Sequence, residues 1–203
     1  MRVCLKFSFF FFFSLNLFSQ NGDIFLLRKI NLNRNKDLDN TFRFISNTAA
    51  PLSIASPLTV VATGLITKDK GLVNKGLVMG ASAMVSGVLT TGLKYAVNRK
   101  RPFVTYPDID KQSKAGSYSF PSGHTSSVFA TATSLSLAFP KWYVIAPAYT
   151  WASAVAYSRM DLGVHYPTDV LAGAIIGAGS AYLCYKVEKW WRKKQCNCPG
   201  VGK

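Results

Sequence analysis

Only two of the 203 residues are histidine, only nine are acidic, and charged residues make up 16% of the chain. So few carboxylates, spread along the sequence, exclude a cluster able to hold a pair of metal ions. Four cysteines, Cys4, Cys184, Cys196 and Cys198, are too scattered for a disulfide framework. The Cys196–Cys198 pair lacks the two further Cys or His ligands of a tetrahedral site, so no metal and no other cofactor is expected. A long basic stripe is missing too. The formal charge of +15 comes from cations between apolar runs and from the cluster Lys186, Lys189, Arg192, Lys193 and Lys194. Charge in those places flanks membrane segments, and nucleic acid is not an expected partner.

What the chain does have is apolar sequence, 49% of its residues, in an amount that suits one domain. Residues 1–19 begin with Arg2 and Lys6 and continue through Phe7–Phe13 and Leu15–Phe18, the shape of a signal peptide. Leu17 is large for its place before a cut, so an uncleaved anchor is the alternative. Residues 20–51 punctuate a polar, basic stretch with Ile24, Leu27, Ile30, Leu38, Phe42 and Ile45. One or two amphipathic helices at the membrane surface are expected there, the second capped by Asp37 or Asp39. Short surface helices of a soluble domain are the alternative.

Between residues 52 and 186 lie five apolar runs, Leu52–Thr67, Leu77–Val97, Ser122–Phe139, Trp142–Ser158 and Val170–Tyr185. Each has roughly 16 to 21 residues, close to the ~20 that cross a bilayer as a helix. They are rich in Ala, Gly, Ser and Thr, and Gly173 with Gly177 forms a G-x-x-x-G face for close helix contact. The expected fold class is all-α, a helical bundle embedded in the membrane, followed by a basic cytoplasmic tail over residues 187–203. The positive-inside rule groups Lys68, Lys70, Lys75 and Lys141 with that tail and sends the polar blocks to the outer face. With the leader, this implies a bacterial inner membrane and a site facing the periplasm. Arg99 and Lys100 read as cations flanking a membrane helix.

Three blocks between Lys94 and Asp169 hold nearly all the chemistry-bearing residues. In the first, Lys94 and Arg101 stand seven apart, two turns along one face of a continuous helix, which Pro102 ends. A compact ammonium and a planar guanidinium make a clamp for phosphate oxygens. In the second, Pro121-Ser122-Gly123-His124, Ser122 is placed to cap the next helix, with free backbone N–H groups facing an anion. In the third, Ser158-Arg159 precedes His165, and Asp169 follows that histidine by four, on the same face of a helix opened by Tyr166-Pro167. A carboxylate on Nδ1–H fixes the imidazole tautomer and frees the other nitrogen as a nucleophile. Asp161 has no assigned role.

The pattern K-x6-R-P, P-S-G-H, S-R-x5-H-x3-D resembles the type 2 phosphatidic acid phosphatase (PAP2) family, whose superfamily includes bacterial acid phosphatases and vanadium haloperoxidases. The match covers Lys94–Asp169 without a departure and extends more loosely over the helical runs. The resemblance implies a PAP2-type helical bundle and a metal-independent phosphatase acting on a lipid phosphate or lipid diphosphate. It implies that His165, oriented by Asp169, attacks phosphorus and forms a phosphohistidine, while His124 protonates the leaving group and then activates water. Lys94, Arg101, Ser122, Gly123 and Arg159 would bind the phosphate. A soluble periplasmic acid phosphatase and a non-catalytic membrane protein of the same fold are the alternatives.

Overall fold

The computed structural model describes residues 21–196. The leader, with its cleavage or anchoring, lies outside the described residues, as does Cys198 of the C-x-C pair. Residues 21–31 form a first helix, α1. A short 3-10 turn at Lys36–Leu38 leads into α2 (Asp39–Asn47), α3 (Ala49–Ile66), α4 (Lys70–Val97), α5 (Pro102–Thr105), α6 (Gly123–Ala138), α7 (Trp142–Asp161) and α8 (Pro167–Cys196). The described chain has no strand. Because α8 runs to Cys196, the first part of the basic tail continues the last helix.

At the centre stands α6, which packs on α3, α4, α7 and α8. The reason lies in its small and hydroxylated residues. Val128, Ala130 and Ala132 are fully buried, and Thr131 and Ser134 nearly so. The hydroxyls find partners rather than water: Thr90 Oγ1 of α4 donates to Ser126 Oγ at 2.8 Å, and Thr133 Oγ1 meets Tyr149 Oη of α7 at 2.9 Å. Gly177 of α8 rests on the α6 backbone, where an added Cβ would stand 2.2 Å from Ser126 O, and one at Gly173 would stand 2.7 Å from Ser122 O. The G-x-x-x-G face is therefore the α6–α8 contact.

The outer sides of the bundle are apolar. Leu58, Ile66, Met84, Val88, Leu171, Ile175 and Leu183 stay exposed, a surface that water does not favour and lipid tails do. Three helical stretches, Lys36–Ile66, Lys70–Thr105 and Pro167–Gln195, are long and apolar enough to cross a membrane. Of the five apolar runs, α6 is a 16-residue helix enclosed by its neighbours rather than one lying open to lipid.

The two ends of the bundle differ. At one end the α3–α4 and α6–α7 connections meet the far part of α8: Asn74 donates to Glu188 at 2.6 Å, and Lys75 lies 4.8 Å from the centre of the Phe139 ring. At the other end the 98–122 connection and the 162–166 connection come together under the N-terminal helices. These helices are stitched to the 98–122 connection rather than lying alone. Arg28 pairs with Asp108 at 2.7 Å, and Arg34 pairs with Asp39 at 2.8 Å and Asp110 at 2.5 Å. The buried Asn31 donates to Asp110 O at 3.0 Å and Asp161 O at 2.7 Å. Neither expected cap is used. Asn35 caps the 3-10 turn, and α2 starts directly from it with no side-chain cap, since its first residues are already in helical conformation.

Candidate active site

The 98–122 and 162–166 connections, with the helix ends they join, bring the candidate residues together. Ser122 sits at the N-cap of α6 in extended conformation, its oxygen accepting from Thr125 N, as expected. It is fully buried, and its own backbone N–H donates to Asp169 O at 3.0 Å, which docks the start of α6 on the start of α8. An added Cβ at Gly123 would lie 4.0 Å from Lys94 Cε, so the lysine passes close over this turn.

Two expectations about helical spacing are corrected. Lys94 and Arg101 do not share a continuous helix. Asn98 ends α4 in the left-handed conformation (φ 51°), and Arg101 is extended before Pro102, because the proline ring disfavours helical backbone in the residue before it. Both cations still reach one place: Lys94 Nζ donates to Tyr118 O at 2.7 Å, and Arg101 Nε donates to Ser117 O at 2.6 Å. Likewise, His165 is not on α8, which begins at Pro167. Asp169, in the first turn, reaches back instead and accepts from Tyr166 N at 3.0 Å, the return contact of a capping box. That reach brings Asp169 Oδ2 to 3.4 Å from His165 Nδ1, a close approach that falls short of hydrogen-bond geometry.

The imidazole of His165 is almost wholly enclosed. On its other side, Nε2 stands 3.3 Å from Arg101 Nη1, which also donates to Val164 O at 2.8 Å. Burial, against the opposing pull of Asp169, lowers the His165 pKa to about 3. The ring is therefore neutral at physiological pH, with one nitrogen lone pair available. Arg159, buried in the last turn of α7, donates from Nη1 to Ser46 Oγ at 2.5 Å, and its Nε has no partner among the described residues. An unpaired buried guanidinium N–H is a donor left for an anion. His124 lines an open cleft of about 730 Å³ together with Arg43, Asn47, Lys111, Gln112, Ser113 and Lys114. The eight expected residues thus converge at one end of the bundle. Among the described residues no three His, Cys, Asp or Glu side chains are grouped to hold a metal.

Sequence reasoning missed the residues that surround Asp169. Arg99, expected as a flanking cation, pairs with Asp169 Oδ1 at 2.7 Å and with Asp23 at 2.6 Å. Ser119 Oγ donates to Asp169 Oδ2 at 2.5 Å. The only signal available was the position of Arg99 inside the first block; the partners Asp23 and Asp169 are 76 and 70 residues away. Asp161 is also buried, with one carboxylate oxygen unpartnered and its carbonyl holding Asn31.

Fold and site together define an integral membrane protein with an imidazole–carboxylate pair inside a ring of cations, a pocket built for an oxyanion. The chain belongs to the PAP2 superfamily, whose model matches residues 75–193. It is 31% identical over 164 residues to a protein of Sulfolobus acidocaldarius named Undecaprenyl-diphosphatase, covering 80% of this chain and 77% of that one. It is 34% identical over 107 residues to Lipid A 4'-phosphatase of Bacteroides thetaiotaomicron, covering 52% of this chain and 48% of that one. Among solved structures, Aquifex aeolicus LpxE superposes with a TM-score of 0.70 at 28% identity, over 81% of this chain and 94% of that one. A transmembrane PAP2-type phosphatidylglycerolphosphate phosphatase from Bacillus subtilis gives 0.72 at 26% identity, over 90% and 94%. The fold is the all-α PAP2 bundle, and the protein is a PAP2-type phosphatase of the membrane.

Proposed function

We propose that this protein hydrolyses a lipid phosphate or lipid diphosphate at the membrane surface through a phosphohistidine intermediate, without a metal ion. The observation that carries the reading is the placement of His165, with Nδ1 turned to Asp169 and Nε2 turned to the guanidinium of Arg101. Asp169 favours the tautomer with its proton on Nδ1, which leaves the Nε2 lone pair to attack phosphorus. Burial and the cations Arg159, Arg101 and Lys94 lower the His124 pKa to about 4, and the phosphate dianion, entering among those cations, offsets them so that His124 takes up a proton from the open cleft. As the N–P bond forms, the bond from phosphorus to the leaving oxygen breaks, and His124 passes its proton to that oxygen. His124, now neutral, takes a proton from a water that attacks the phosphohistidine, releasing phosphate and restoring His165. Lys94, Arg101, Arg159, the Ser122 hydroxyl and the Gly123 N–H hold the phosphoryl oxygens, whose charge in the transition state is the main demand of this chemistry.

The site lies at the ends of apolar helices, so a phosphate at head-group depth arrives while its chains remain in lipid. Relatives named as a diphosphatase and as a lipid A phosphatase support both monoester and diphosphate substrates. The basic end of α8 on the opposite face supports an inner-membrane location with the site on the periplasmic side.

The test is phosphate release from a long-chain lipid phosphate in mixed micelles containing EDTA, with acid-labile phosphoenzyme trapped by rapid quench in base. The wild type turns over under chelation and shows the trapped species. His165→Ala loses both, and His124→Ala loses most turnover. Near-wild-type release by His165→Ala, or activity that chelation removes and magnesium restores, refutes the scheme.

A further inference from the structure

The family match begins at residue 75, yet the buried carboxylate beside His165 is tied to a residue far upstream of it. Asp23, in α1, has its side chain 1% exposed and pairs with Arg99 at 2.6 Å. It is held there by α8, since Thr168 N donates to Asp23 Oδ1 at 2.9 Å and the Thr168 hydroxyl donates to Oδ2. Arg99 is fixed as tightly. Its Nη1 donates to Asp169 Oδ1 and to Thr168 Oγ1, both at 2.7 Å, and its guanidinium lies 3.8 Å from the centre of the Tyr166 ring. Its carbonyl accepts from Ser119 N at 2.8 Å, while Ser119 Oγ holds the other oxygen of Asp169.

Two consequences follow from charge and geometry. First, Arg99 occupies Oδ1 of Asp169, which turns Oδ2 towards His165. Second, a lone guanidinium at 2.7 Å would cancel the charge of Asp169 and weaken its support for an imidazole that becomes positive on phosphorylation. A second carboxylate on Arg99 restores a net charge of −1 to the group Asp23, Arg99 and Asp169. We propose that Asp23 and Arg99 are a positioning pair for the catalytic imidazole: Arg99 sets the orientation of Asp169, and Asp23 balances Arg99 so that Asp169 keeps its negative field on His165. The N-terminal helix is thereby part of the active-site structure. This rests on the reading of His165 as nucleophile.

The experiment measures kcat and KM on one lipid phosphate in mixed micelles for Asp23→Asn, Asp23→Glu, Arg99→Gln and the double variant Asp23→Asn/Arg99→Gln, with thermal unfolding of each. Asp23→Asn is expected to lose about tenfold in kcat, with KM within about twofold, as for an interaction made only as charge develops. Asp23→Glu keeps the charge and stays within about threefold of wild type. In the double variant the uncompensated cation is gone, so its kcat is no lower than that of Arg99→Gln alone. The pairing is overturned if folded Asp23→Asn keeps wild-type kcat, if its loss is in KM alone, or if the double variant shows the product of the two single losses. Should Asp23→Asn not fold, Arg99→Lys takes its place: it keeps the charge but loses the fork, and unchanged kcat there overturns the orienting role. An active His165→Ala would defeat the underlying mechanism, whereas an inactive His165→Ala beside an unaffected Asp23→Asn defeats only the pairing.

Discussion

Gly177→Ala puts the central packing to a quantitative test. The added Cβ would stand 2.2 Å from Ser126 O, 2.8 Å from Ala130 N and 3.0 Å from Ser126 C, all backbone atoms of α6 that no side-chain rotation can clear. An ordinary carbon–oxygen contact is about 3.3 Å, so α6 and α8 must separate by roughly 1 Å at this point. Overpacking of this kind costs about 1–3 kcal/mol. Helix propensity works the other way by ~1 kcal/mol, since alanine is the better helix former. Gly179 separates the two effects: it is on the same helix, and its added Cβ meets nothing within 4 Å. Thermal unfolding in detergent, followed by intrinsic fluorescence, is the assay. Gly177→Ala should unfold roughly 2–12 °C below Gly179→Ala, since the ~1–3 kcal/mol of overpacking separates them at the ~2–4 °C per kcal/mol usual for this size, while Gly179→Ala should hold or rise relative to the wild type. Gly173→Ala, with its Cβ 2.7 Å from Ser122 O, should in addition lower kcat, because Ser122 N–H is bonded to Asp169 O and sub-ångström displacement of catalytic groups is costly. If Gly177→Ala unfolds no earlier than Gly179→Ala, the close α6–α8 approach is not what holds the bundle together.

Two further outcomes are expected. An unfolded imidazole binds its proton near pH 6.5, whereas His165 in the folded protein does so only near pH 3. Between those values the unfolded state holds more protons, so stability declines as pH falls from about 6.5, by up to ~1.4 kcal/mol per unit; the unfolding temperature of His165→Ala, followed from pH 7 to pH 4.5, should fall less steeply than that of the wild type. For topology, a cysteine at Ser113 should react with an impermeant thiol reagent in intact spheroplasts while one at Glu188 reacts only after the membrane is opened; the reverse pattern inverts the orientation.

Much of this protein was legible before any coordinates. The apolar runs gave helices close to the observed α3, α4, α6, α7 and α8, because long stretches of small and apolar residues leave a chain in lipid few alternatives to satisfying its own backbone. The three polar blocks stood out because histidine and carboxylate are so scarce that their placement carries information. Ser122 as a cap was readable from local chemistry alone. Spacing misled where backbone conformation intervened: the helix expected from Lys94 to Arg101 is cut at Asn98, and His165 stands before α8 rather than on it.

Only tertiary structure decided the surroundings of Asp169 and the part played by the N-terminal segment. Arg99 looked like one more cation beside a membrane helix, and Asp23 like one more polar residue on an amphipathic one. Their roles depend on ion pairs across 70 or more residues, and such pairs have no period and no local propensity to betray them. By itself the sequence determined which stretches are helical and which polar residues fall into three compact blocks, since both depend on neighbours a few positions away. Which charges balance which around Asp169 was decided by the fold, because Coulomb interactions act through space and the chain brings their partners together only when α1, the 98–122 connection and α8 meet.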